Sequence, residues 1–155
     1  MTDYTLILSQ AQALTEGIPY LTANLSNLSA LLFDSLDRLN WAGFYEKKDG
    51  ILVLSCFQGK PACVILPLTK GVCACAAREN RIVNVPDVHR FDGHIACDSA
   101  SQSELVLPIA DKDGNVKYVL DFDSPVLNRF TEADEQGLKK LAAFIADAID
   151  GKWIK

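Results

Sequence analysis

The change of hydrophobic period at Trp41 constrains this chain more than any other feature of its sequence. Before it, Leu6, Leu14, Leu21, Leu25, Leu28, Leu32, Leu36 and Leu39 recur mostly at three- and four-residue steps, the spacing of one helix face, with a break at Gly17-Ile18-Pro19. Two helices are therefore expected within residues 1–39, meeting near that break. From Trp41 the period is two: Trp41, Gly43 and Tyr45 alternate, Asp49-Gly50 follows, and an apolar run fills 51–57. Two such runs flanking Asp-Gly predict a β-hairpin. Further strands are expected over 62–66, stopped by Pro67, over 82–85, ended by Pro86, and over 105–109 and 116–122, joined by a turn from Asp111 to Asn115. Residues 71–80 read as a short helix of small side chains. A last helix over 131–150 has Thr131 as N-cap, Glu132 and Asp134 in its first turn, and Leu138, Leu141, Ile145 and Ile149 on one face. This order predicts an α+β fold, a single domain over 1–155 whose antiparallel sheet and loops occupy 40–125 and carry packed helices.

Charge and targeting signals narrow the function. A net charge of −5 and a pI near 4.9 repel phosphate backbones, so nucleic acid is not an expected partner. The first residues carry no basic segment followed by an apolar stretch and cleavage site, and nowhere do 18 apolar residues run together. A cytoplasmic protein that does not engage a membrane is expected. Cys56, Cys63, Cys73, Cys75 and Cys97, in a chain without a secretory signal, then serve packing, metal binding or redox chemistry rather than a structural disulfide framework.

The redox use needs two thiols. One attacks an oxidised substrate and becomes a sulfenic acid, and another condenses with it to a disulfide that an external reductant opens. Cys63, Cys73 and Cys97 are candidates; Cys56 lies in an apolar strand and Cys75 among alanines, where both suit packing. Cys97 lies in the polar, aperiodic stretch 86–103 with His89 and His94, the kind of long loop that carries function. A cationic His94 beside Cys97 would stabilise its thiolate, whereas Asp98 would oppose it. The same Cys73, Cys75, His94 and Cys97 offer short chelating spacings, without the paired pattern of a zinc ribbon. Asp121 and Asp123, two apart on one strand, share a face, as do Trp41 and Tyr45. Paired carboxylates in an apolar strand call for a cation, and a substrate ammonium would meet that need.

Several segments carry a more specific signal: Asn40-Trp41-Ala42-Gly43-Phe44-Tyr45, the run from Phe57 to Cys63, Gly71-Val72-Cys73, the run from Asp87 to Asp98 with its His-Ile-Ala-Cys-Asp, Ser103-Glu104, and the run from Leu120 to Pro125. Together they resemble the free methionine-R-sulfoxide reductases, and the match runs from residue 40 through most of the remaining chain. The resemblance implies a GAF fold, with a central antiparallel sheet, helices packed on one face and loops closing a pocket on the other. It implies reduction of free methionine-R-sulfoxide with no bound cofactor and with thioredoxin as reductant. The family's reactive thiol corresponds to Cys97, its usual disulfide partner to Cys63, and a third participating cysteine to Cys73. Its substrate contacts fall on Trp41, Tyr45, Glu104, Asp121 and Asp123, with Glu104 the expected proton donor. Cys56 and Cys75 depart from the family pattern.

A non-catalytic GAF-type sensor of a small molecule or of redox state stands as the alternative, because fold alone does not fix function. Oligomeric state is left open, a homodimer included.

Overall fold

The computed structural model describes residues 1–155. The two leucine-spaced segments form α1 (Tyr4–Thr15) and α2 (Leu21–Ser35), separated at the expected break. The hairpin is β1 (Trp41–Lys48) and β2 (Ile51–Gly59), and its two-residue turn has Asp49 at φ 46° and Gly50 at φ 83°. Positive φ at both positions is what a two-residue hairpin turn requires, and Asp-Gly supplies it with little strain. The remaining elements are β3 (Ile65–Pro67), α3 (Val72–Glu79), β4 (Val83–Val85), a single 3₁₀ turn at Val88–Arg90, β5 (Ser103–Ala110), β6 (Val116–Ser124) and α4 (Glu132–Gly151). Thr131 caps α4 as expected, in a reciprocal capping box with Asp134.

All six strands join one sheet in the order β3-β2-β1-β6-β5-β4, antiparallel throughout. The strand expected over 62–66 begins instead at Ile65 and runs into Pro67, which pairs with Ile51. Proline is tolerated there because β3 is an edge strand whose outer side needs no donor. Residues 62–64 lie outside that strand, which leaves Cys63 on a connection.

Period two separates the sheet's faces. Phe44, Leu105, Leu107, Ile109, Leu120 and Phe122 are almost fully buried in a core shared with Leu25, Leu28 and Leu32 of α2 and Leu138, Leu141 and Ile145 of α4. Each such side chain contributes roughly 1.5–3 kcal/mol by leaving water. Their strand neighbours Trp41, Tyr45, Val106 and Val119 belong to a second cluster with Val72, Cys73, Ala76 and Ala77 of α3. Here the structure adds to the expected layering: α3 joins the loops on the pocket face, because its small residues let it lie close to β5 and β6.

Two features position the pocket strands. A Cβ on Gly43 would come within 2.7 Å of the Phe57 Cα and 2.8 Å of the Cys56 carbonyl oxygen, so only glycine allows β1 and β2 to close at the irregularity between Gly43 and Tyr45. Arg129, 4% exposed, binds Asp134 Oδ2 and Asp37 Oδ1 at 3.0 Å each and donates from Nε to the Asp37 carbonyl. It ties the start of α4 to the segment leading into Trp41. Burial raises the stakes of such a network, because removing one partner strands the others without water.

Candidate active site

A cleft open to solvent lies over the sheet face opposite the main core. Strand register builds its floor. Trp41 pairs with Asp123, Gly43 with Asp121, and Asp123 in turn with Glu104, so three neighbouring strands project Trp41 and Tyr45, Asp121 and Asp123, and Glu104 to one side. Cys73 and Ala74 of α3 form one wall, and Lys60, Pro61 and Ala62 another. The 86–103 loop supplies His94, Ile95, Cys97, Asp98 and Ser101.

Cys63 and Cys97 are joined in a disulfide, with Cα atoms 5.7 Å apart at a sequence separation of 34. Cys97 is exposed and Cys63 half-buried, while Cys73 is a buried free thiol. The Cys63 segment is held by the Tyr45 hydroxyl, which donates to the Cys63 carbonyl at 2.8 Å. Trp41 stacks between Tyr45 and Phe57 at centroid separations of 5.8 and 5.2 Å, making a rigid aromatic floor. The Cys97 loop is pinned from the other side: the Asn40 amide donates to Asp98 Oδ2 and to Ser101 Oγ at 3.0 Å each, and Asp98 Oδ1 accepts from the Ala100 N–H. These bonds, led by the backbone one, hold the Asp98 carboxyl below its ordinary range.

The electrostatics of the floor are unusual. Glu104 and Asp121 are buried and Asp123 is half-buried, and no arginine or lysine forms an ion pair with any of them. Burial, and then the neighbouring Asp123, push Glu104 up to about 8. Burial, and then Glu104, push Asp121 well above the usual carboxylate range, and Asp123 is raised by burial and by Asp121. Cys73 Sγ lies 3.9 Å from Glu104 Oε1, and burial, followed by Asp121, Glu104 and Asp123, keeps its proton on. Two buried polar atoms of the cleft, Trp41 Nε1 and Asp121 Oδ1, have no partner within the protein. Orphaned groups at a cleft wall are what a ligand completes.

Cys73, Glu104 and Asp121 each bring one atom within 4.8 Å of the other two. A metal would require Cys73 to shed its proton, which burial beside Asp121, Glu104 and Asp123 opposes. An ammonium needs only acceptors, and the carboxyl oxygens supply them.

The structure thus brings Trp41, Tyr45, Cys63, Cys73, Cys97, Glu104, Asp121 and Asp123 to one cleft. Cys56 and Cys75 stand apart; the Cys75 thiol donates to Glu79 at 2.8 Å on the far end of α3. His94 lines the same cleft, and its Nε2 lies 3.6 Å from Glu104 Oε2, so the imidazole faces the acid. Sequence reading also missed Asn40 as the loop's anchor. Its partner Asp98 is 58 residues away, and no local pattern signals such a bond.

A family model described as GAF domain matches residues 22–150, and a GAF domain with a cysteine pair at the mouth of its pocket is the class that this sheet and cleft define. The free methionine-R-sulfoxide reductase of Escherichia coli (strain K12) is 53% identical over 131 residues, covering 84% of this chain and 79% of that protein. Protein YtsP of Bacillus subtilis (strain 168) is 51% identical over 149 residues, 95% of this chain and 91% of that protein. Among solved structures, fRMsr of Staphylococcus aureus in complex with substrate superposes with a TM-score of 0.88 at 45% identity, covering 99% of this chain and 97% of that one. The chain belongs to the GAF domain family and, within it, to the free methionine-R-sulfoxide reductases.

Proposed function

We propose that this protein reduces free methionine-(R)-S-oxide to methionine, with Cys97 as nucleophile, Cys63 as resolving thiol and Glu104 as proton donor. The observation that carries this reading is the meeting, in one cleft, of the Cys63–Cys97 disulfide with the buried carboxyls of Glu104 and Asp121 and the half-buried Asp123. In the reduced enzyme the Cys97 thiolate attacks the sulfoxide sulfur and Glu104 protonates the oxygen. The substrate S–O bond breaks, an S–O bond forms on Cys97, two electrons pass to the methionine sulfur, and a sulfenic acid remains. Cys63 then attacks the Cys97 sulfur and water leaves, forming the disulfide seen here.

Trp41 and Tyr45 pack the substrate methyl group. Asp121 and Asp123 hold the α-ammonium, whose charge compensates carboxylates that otherwise lack a cation. Backbone N–H groups of the 86–103 loop receive the α-carboxylate. A peptide-bound methionine sulfoxide has neither free end, so its amide would face acids that need an ammonium. Cys73 is a reserve thiol: its buried, protonated state suits rescue of a misdirected sulfur rather than first attack. An exposed Cys97 leaves the disulfide open to thiolate exchange with thioredoxin in the cytoplasm, the external dithiol of this scheme.

Incubation with racemic free methionine sulfoxide and excess dithiol, followed by chiral chromatography, is expected to consume the R epimer alone and to leave a peptide-bound sulfoxide untouched. Consumption of neither epimer by the fully reduced protein would sink the reading. The pH dependence adds a second test. Glu104 donates only while protonated, so kcat/KM is expected to fall as pH rises through about 8, with up to a tenfold loss per pH unit beyond it. An alkaline limb unchanged in Glu104→Gln would assign it to another group.

A further inference from the structure

His94 is a titratable group of the cleft that the scheme above does not use. Its side chain is 14% exposed, its Nε2 lies 3.6 Å from Glu104 Oε2, and its backbone N–H is fixed by the Phe91 carbonyl at 3.2 Å. Around it Asp92, Gly93 and Ala96 are exposed, so His94 stands between the buried acid and solvent. Each turnover strips Glu104 of a proton that must be replaced before the next. The other titratable groups facing Glu104 are Cys73 from α3, Asp121 and Asp123 from β6, and Tyr45 from β1. Burial before all else raises each of them, so taking a proton from any would only move the negative charge to another buried atom. An imidazole avoids this, because it accepts a proton on one nitrogen while releasing one from the other.

We propose that His94 is the positioning and proton-return partner of Glu104, donating from Nε2 to Oε2 after each sulfoxide reduction and refilling at Nδ1 from water. The proton count closes: Glu104 has given its proton to the sulfoxide oxygen, the carboxylate takes one from Nε2–H, solvent supplies one at Nδ1, and the imidazole returns to its Nε2–H tautomer by exchange with solvent before the next turnover. A separation of 3.6 Å is closed by a small movement of the loop or bridged by one water, as is common for catalytic contacts without substrate. Burial lowers the proton affinity of His94, which keeps the imidazole neutral and free to relay near pH 7.

The proposal rests on the sulfoxide reductase reading, and its test separates the two. Steady-state reduction of free methionine-R-sulfoxide is measured for the wild type and for His94→Gln, at dithiol concentrations where the wild-type rate no longer depends on the dithiol. Glutamine keeps an N–H near the Nε2 position but cannot relay. The expected result is a kcat at least about tenfold lower, a KM within about twofold, and recovery that rises with added imidazole. A wild-type kcat in His94→Gln across pH 6 to 9, or a loss carried by KM without imidazole recovery, would overturn the relay. Absence of turnover by the wild type would instead overturn the function itself.

Discussion

Replacing Cys97 by serine is expected to lower turnover of free methionine-R-sulfoxide by about 10³-fold or more while leaving the fold intact. The reason is chemical as well as positional. Oxygen transfer to a thiolate yields a sulfenic acid, whereas transfer to serine would have to make a peroxide. Neither remaining cleft thiol can substitute. Cys73 is buried with its proton held on, and Cys63 is half-buried, its segment held by Tyr45. Cys97, by contrast, is exposed on its loop, so the mutation empties no packed space. Circular dichroism checks the fold and chromatography counts the methionine formed. In the companion Cys63→Ser variant, without added dithiol, the first equivalent of methionine should still appear, because attack by Cys97 precedes resolution. A Cys97→Ser rate within tenfold of wild type would overturn the assignment of the nucleophile.

Glu104→Gln should move activity and stability in opposite directions. The amide fits the same space and cannot protonate the sulfoxide oxygen, so kcat/KM at pH 7 is expected to fall by about 10²–10⁴-fold. Stability follows from linkage. Glu104 is pushed from an ordinary 4.5 up to about 8 in the folded protein, which therefore holds a proton that the unfolded chain releases between those values. Its favourable contribution is complete below about 4.5 and disappears as pH rises through about 8. Glutamine does not titrate. The substrate-free variant should thus melt near the wild-type temperature at pH 5 and above it at pH 9, by on the order of 2–4 °C for each kcal/mol recovered. Calorimetry at the two pH values measures this. A variant that melts below wild type at pH 9 would show that the carboxylate has a compensating partner.

Such an inverse relation would account for acids on an apolar sheet face. On the proposed reading, Glu104, Asp121 and Asp123 cost the empty protein stability as pH rises, and a bound ammonium would relieve them. Binding energy for free methionine sulfoxide would then be concentrated where a peptide has nothing to offer. Strain of this kind is characteristic of sites rather than of scaffolds.

Much of the scaffold could be read locally. Leucine spacing located α1 and α2, Asp49-Gly50 located the hairpin, and Thr131 with Asp134 located the start of α4, because each rests on contacts within a few residues. Expectations slipped where distant chain segments decided. The third strand began late because edge pairing with Ile51 and Leu52, not local propensity, sets its bounds. The place of α3 on the pocket face depended on β5 and β6, which come later in the chain.

By itself the sequence determined the α+β class, the shared face of Asp121 and Asp123 and of Trp41 and Tyr45, and, through its resemblance, the cysteines worth considering. Periodicity and short motifs carry that information because side-chain direction is set by local backbone geometry. Only the tertiary structure put Glu104 beside Asp123 through strand register and turned His94 toward Glu104, and it joined Cys63 to Cys97, the pair that the resemblance had implied. Those juxtapositions arise from packing between remote segments. The perturbed proton affinities arise with them, since burial and neighbouring charge exist only once the chain has folded.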